Sequence, residues 1–312
     1  MAKNSSFLYP VPREILIPSV VFKFIAMITG VLGNFTVAIY ATFTSKKRTA
    51  TSYLVGNLAL ADLLVCLTFY PVWIIELVQT MLNIDSDQDF FCKSSQSSMK
   101  ALLFASMASL LAITVDRYLY IVKPLKYPLI VTKRRVFIAM SCIWLTACGV
   151  FISFLVHIEK SSERFRSVCH LDKTLIFIFI FFLPLILIIV LNVWILIVAE
   201  KQRKLILGET TTNTGDVNRF FHALKAVKTF SIVVAVLTFC VLTPTVVGFV
   251  FKGSHLFPCT YSCKLWFVVF HYEFYGINSI VNAFIYGMRH VKHRKAYGHI
   301  LLRILRCNKP TD

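Results

Sequence analysis

The sequence predicts an all-α membrane protein: a bundle of seven transmembrane helices followed by a short amphipathic eighth helix. Three observations lead there. Of 312 residues, 57% are hydrophobic and the mean hydropathy is +0.71, more apolar surface than a soluble domain of this length can hide. Seven stretches, near 18–43, 52–79, 91–121, 136–156, 174–199, 221–251 and 265–288, are apolar and long enough to cross hydrocarbon, which takes roughly 20 residues each. Basic residues cluster in alternate connecting segments, which sets orientation.

The first 17 residues form a tail, 18–288 the membrane domain, and 289–312 an amphipathic helix with a cytoplasmic tail. The first stretch would serve as its own signal anchor. Asn4-Ser5-Ser6 matches a glycosylation sequon on the predicted outside, with an unmodified tail as the alternative. Asn34-Phe35-Thr36 matches too, but its mid-membrane placement removes it from that chemistry. With the N-terminus outside, four inner segments hold 22 of the 33 basic residues, among them Lys46, Lys47 and Arg48, then Lys133, Arg134 and Arg135. The net charge of +18 therefore reads as topology and contact with anionic lipids, not as nucleic-acid binding.

Loops are too short for another domain. The longest interruption, 200–218, has the polar centre Gly208-Glu209-Thr210-Thr211-Thr212-Asn213-Thr214-Gly215 and separates the fifth and sixth stretches. After Met288, bases on one face oppose Val291, Tyr297, Ile300 and Leu301, a pattern suited to lying on the inner leaflet. Cys307 beyond it is a palmitoylation candidate or a bare thiol. Cys66, Cys142, Cys148 and Cys240 fall in apolar spans and read as small packing residues. Cys92 and Cys169 face the oxidising side, where a disulfide can persist. Cys259 and Cys263 share one outer loop and could close a small ring.

Several residues carry chemistry by placement alone. Asp62 is a lone carboxylate in mid-membrane, costly unless hydrated, ion-paired or hydrogen-bonded. Ser106, Asn278, Ser279 and Asn282 could supply its partners, with Asn34 joining the network. Mid-span charge reduces essentially to Asp62. Asp116-Arg117-Tyr118 closes the cytoplasmic end of the third stretch, where an adjacent carboxylate and guanidinium can hold a local salt link.

From Gly33-Asn34 to the amphipathic tail, the chain resembles a rhodopsin-like (class A) G-protein-coupled receptor. The matching motifs are Asn57-Leu58-Ala59-Leu60-Ala61-Asp62, Asp116-Arg117-Tyr118, Trp144, Pro184, Pro244 and Asn282-Ala283-Phe284-Ile285-Tyr286. The last stands for the family's Asn-Pro-x-x-Tyr, with alanine replacing proline. The resemblance implies a receptor, not an enzyme, at the plasma membrane. It would pass an extracellular ligand signal to a heterotrimeric G protein as the sixth helix swings outward. It implies no cofactor beyond an allosteric sodium ion at Asp62 and Ser106, an ion-free water network being the alternative. It gives Arg117 the role of the freed arginine, Tyr286 that of its support in the open form, and Leu125 that of a plug for a G-protein groove.

The sequence departs from the pattern in places. Leu242 replaces the aromatic two residues before Pro244, and Thr238 a phenylalanine beneath the ligand. Asn192 takes a customary tyrosine's place. Leu224 stands where some relatives carry an acid facing the arginine, so that lock cannot form; raised basal signalling is one expectation, and a resting state held by Asp116 alone is the other. Met99 occupies the site of the aspartate that monoamine receptors use, and Gly276 that of the retinal-binding lysine, so neither ligand is expected. Phe249 and Gly276 replace residues with which adenosine receptors grip a purine. Met99, Lys100, Leu103, Phe249, Tyr272 and Glu273 are the pocket candidates. Lys100 and Glu273 would snorkel to the outer interface or bind each other or a polar ligand. The competing class is a seven-helix transporter or channel; no internal repeat supports it. No catalytic motif supports an enzyme.

Overall fold

A computed structural model describes residues 13–41, 49–82, 84, 88–157, 181–208, 214–253 and 273–289. These form eight helices in order: α1 Arg13–Ile39, α2 Ala50–Leu82, α3 Gln88–Val122, the one-turn α4 Tyr127–Ile130, α5 Lys133–His157, α6 Leu183–Gly208, α7 Thr214–Gly253 and α8 Glu273–Arg289. Among the described residues there is no strand. Six helices, α1, α2, α3, α5, α6 and α7, are long and apolar enough to cross a membrane. The apolar part of α8 is shorter, Gly276–Ile285, and the expected start of the seventh stretch at 265 lies outside the described residues. So do Asn4, Cys169, Cys259, Cys263, Tyr272, Cys307 and the expected amphipathic helix after Arg289. The side chains of Cys92, Phe249 and Tyr286 also lie outside the described set.

Hydrocarbon offers backbone groups no water, so a spanning segment must bond internally, and the helix does this. Side-chain hydroxyls solve the same problem locally. Thr68, Thr114 and Thr238 each donate to the carbonyl four residues back, at 2.7, 2.8 and 2.8 Å. Pro244 lies inside α7 without a backbone donor. Just beyond it, Thr245 Oγ1 donates to the Val241 carbonyl at 2.7 Å.

The outward faces are apolar. Val21, Ile25, Ile28, Leu32 and Phe35 are exposed along one helical stripe of α1, and Leu145, Ile152 and Val156 along α5. Such stripes match lipid, not water. The centre of the bundle is α3, which packs on α2, α5, α6 and α7, while α8 closes the ring against α1, α2 and α7. Leu58, Phe69, Tyr70, Met107, Leu110 and Ile113 fill the interior. Since lipid is as apolar as these side chains, close packing and polar links hold the helices together. Gly30 illustrates the closeness: a Cβ there would collide with Cys66 Sγ on α2.

Two expectations are corrected. The polar break between the fifth and sixth stretches is not 200–218; α6 continues to Gly208 and α7 resumes at Thr214. Lys201, Arg203, Lys204 and Leu205 favour helix, and Arg203 pairs with Glu200 one turn away at 3.0 Å. Of the four span cysteines, Cys66 and Cys240 are buried, but Cys142 and Cys148 are exposed on the outer face of α5. A thiol tolerates lipid as readily as a packed core.

Candidate functional site

Buried polar side chains form three separate groups of contacts within the apolar bundle, here called tiers. The middle tier surrounds Asp62, which α2 holds fully buried. Asn282 Nδ2 on α8 donates to Asp62 Oδ2 at 2.9 Å, and Ser106 and Ser279 also bear on this carboxylate. Asn34 on α1 donates to the carbonyls of Gly30 at 3.0 Å and Ser279 at 2.9 Å. Asn282, Ser279 and Ser106 thus bear on Asp62, Asn34 reaches it only by way of Ser279, and Asn278 is buried without a hydrogen bond to the carboxylate. Asp62 Oδ1, Asn278 Oδ1 and Asn282 Oδ1 accept no hydrogen bond. Several buried oxygens short of donors, one of them carboxylate, suit a small hard cation such as sodium. Ser109, which the sequence reading did not single out, joins this tier. Trp144 Nε1 donates to Asn57 Oδ1 at 2.9 Å and Asn57 Nδ2 to Ser109 Oγ at 2.8 Å, tying α5, α2 and α3 together.

The inner tier is the end of α3. The expected Asp116–Arg117 link exists but is long, 3.9 Å from Nε to Oδ2. The carboxylate is instead satisfied by two hydroxyls: Thr51 Oγ1 donates to Oδ2 at 2.6 Å, and the Tyr127 hydroxyl to Oδ1 at 2.8 Å. Tyr127 belongs to α4, which Arg135 holds by donating to the Ile130 carbonyl at 2.9 Å. Burial pushes the Tyr127 phenol well above its usual range, and the negative charge of Asp116 pushes it further. It therefore stays a neutral donor at physiological pH. Arg117 turns its guanidinium toward α7, 5.5 Å from the Phe230 ring centroid, and its Nε has no hydrogen bond. Below it, Leu224 packs with Ile121, Ile195, Ala199 and Val227, an apolar seam across α3, α6 and α7. Ser231 Oγ donates to Asn192 Oδ1 at 3.2 Å, a further link from α7 to α6. Leu125 is 92% exposed at the turn before α4.

The outer tier overturns two expectations. Lys100 and Glu273 do not snorkel; both are buried, and Glu273 pairs with Lys23 of α1, not with Lys100. Asp62 is not the only charge within the spans either, since Lys23 and Glu76 are buried too. For Lys23 and Glu273, an inward-facing partner on a neighbouring helix removes the need to reach the interface. Of the other pocket candidates, Met99 and Leu103 are buried on α3.

Comparisons with known proteins identify the family. The model of the seven-transmembrane receptors (rhodopsin family) matches residues 33–286. The chain belongs to that family. Melatonin receptor type 1C of Xenopus laevis is 26% identical to it over 290 residues, covering 89% of this chain and 66% of the relative. Alpha-1A adrenergic receptor of Oryzias latipes is 27% identical, covering 89% and 65%, and adenosine receptor A3 of Ovis aries is 24% identical, covering 89% and 87%. The chain thus spans just under two thirds of the length of the first two. It is a multi-pass membrane protein of the receptor family. Asp62 and Asn282 meet in the middle tier, Arg117 stands beside Asp116 at the end of α3, and Trp144 joins α5 to Asn57. Thr51, Tyr127, Phe230 and Lys23 were missed, because their meaning lies in partners far along the chain.

Proposed function

We propose that this receptor sits in the plasma membrane with its N-terminus outside and turns binding of an extracellular ligand into activation of a heterotrimeric G protein. The observation that carries this reading is the state of Arg117. Its carboxylate neighbour is occupied by Thr51 and Tyr127, so the guanidinium rests mainly against Phe230. A cation held by a ring face, about 0.5–2 kcal/mol of attraction, is released more easily than one in a buried ion pair. When the inner end of α7 moves outward, Phe230 leaves with it and Arg117 becomes available to a G-protein tail. Exposed Leu125 would plug into the same partner, and Tyr286 would support the open form.

In the resting form a sodium ion would sit among Asp62, Ser106 and the amide oxygens of Asn278 and Asn282. It would supply the positive charge that the buried carboxylate lacks and hold α2, α3 and α8 together. Movement of α8 would disperse those oxygens. The ligand would approach from the outer half, past Met99 and Leu103. Met99 offers no counter-ion there, so a monoamine bound in the usual way is not expected despite the adrenergic relative.

The test is guanine-nucleotide exchange on a panel of purified heterotrimers, with ion flux recorded alongside. Exchange lost in Arg117→Ala supports the receptor reading; flux without exchange supports a transporter or channel and ends it.

A further inference from the structure

The Lys23–Glu273 contact joins the first and last spans in the outer half of the bundle, and neither residue belongs to the switch or to the Asp62 tier. Lys23 is 1% exposed and Glu273 3%. The Lys23 ammonium is paired with Glu273, donates to Ser19 Oγ at 2.7 Å, and lies 5.3 Å from the Trp73 ring centroid. Glu76, also buried, acts on the same charge from α2. The site holds more acceptors than Lys23 satisfies: neither Glu273 carboxylate oxygen is in a hydrogen bond beyond the ion pair. One turn further along α8, Gly276 leaves the space that the Tyr70 hydroxyl fills, and this fully buried hydroxyl has no hydrogen-bond partner.

We propose that Glu273, Glu76, Trp73, Ser19 and Tyr70 form an ammonium-binding cage, that Lys23 is its built-in occupant, and that a free primary alkylammonium takes the same place once Lys23 is displaced. Carboxylates supply the counter-charge, and the indole face attracts a cation but not an anion. A primary ammonium brings three donors, and an alkyl chain fills the apolar volume of the lysine stem. An anionic ligand is excluded, since two carboxylates would repel it. An extracellular ligand with a primary amine would compete with Lys23 for Glu273. It would thereby part α1 from α8, the helix that also carries Asn278, Ser279 and Asn282.

The experiment measures thermal unfolding of the full-length purified receptor in n-butylammonium chloride, with n-butanol as the neutral control and ionic strength matched. Lys23→Ala leaves Glu273 buried without its cation and unfolds at a lower temperature than the parent. n-Butylammonium then raises its unfolding temperature, by about 2 °C at ten times the dissociation constant, and n-butanol does not. Adding Glu273→Gln removes the response. An equal response to the alcohol, or an amine response that survives Glu273→Gln, overturns the proposal. If Lys23→Ala does not accumulate, surface amounts in cells grown with the amine are read instead. Rescue by the amine alone supports the cage, and failure to rescue overturns it. The readout is stability, so its outcome is independent of whether the chain activates G proteins.

Discussion

Asp116 accepts hydrogen bonds on both oxygens, from Thr51 and Tyr127, and this decides how tightly Arg117 is held. Tyr127→Phe leaves one buried oxygen without a donor, and the nearest replacement is the guanidinium already 3.9 Å away. Arg117 is drawn in, and ligand-free nucleotide exchange should fall about fivefold, the equivalent of roughly 1 kcal/mol for one hydrogen bond. An unchanged or raised rate in Tyr127→Phe membranes would sink this account. Asp62 supports a second expectation. The receptor should unfold at a higher temperature in sodium chloride than in choline chloride at equal ionic strength, because the ion binds only the folded form. Asp62→Asn should abolish the difference. A difference that persists in this variant would place the sodium effect elsewhere.

At the scale of elements, the question is what keeps α7 against α3 when Leu224 supplies no acid. The sequence led to an expectation of raised basal signalling. The structure offers substitutes: the Leu224 seam, the Arg117–Phe230 contact and the Ser231–Asn192 hydrogen bond from α7 to α6. Phe230→Ala removes both ring and packing, so ligand-free exchange should rise about fivefold or more. Leu224→Glu restores an acid near the arginine and should lower it. If both variants match the parent in an exchange assay, these contacts do not hold the resting form. The glycine of α8 has a separate effect. Gly276→Ala puts a methyl group onto the Tyr70 hydroxyl, and overpacking of this kind typically costs about 1–3 kcal/mol, readable as a lower unfolding temperature. Tyr70→Phe in the same chain should recover part of the loss.

For the whole molecule, function requires that the two ends of the bundle be coupled. The three tiers share α8 or α3: Glu273 and Asn282 lie on α8, and Asp116 and Arg117 on α3, which packs against four other helices. Coupling between binding sites is reciprocal. A G protein should therefore raise agonist affinity by the same factor by which agonist raises G-protein affinity, a comparison that titration of each against the other would settle. Orientation follows from charge. An epitope at the amino end should be reached by antibody on intact cells, while one beyond Arg289 should require permeabilisation; the reverse result would put Arg117 on the wrong side.

The apolar spans, the clustering of Lys and Arg in alternate connecting segments, and the need of Asp62 and Arg117 for partners were legible in the sequence. Each depends on local composition and on the rule that hydrocarbon tolerates neither bare backbone nor stray charge. Pairings were not legible. Lys23 carries no signal of its own in the sequence until Glu273, 250 residues away, is seen to face it. Thr51 and Tyr127 read as ordinary polar residues until both meet Asp116, and a leucine in place of an acid reads as a missing lock until Phe230 covers the arginine. Sequence determined which groups must find partners in the membrane; only the packing of the helices decided which partners, because a charge is stabilised by what surrounds it in space and not by its neighbours along the chain.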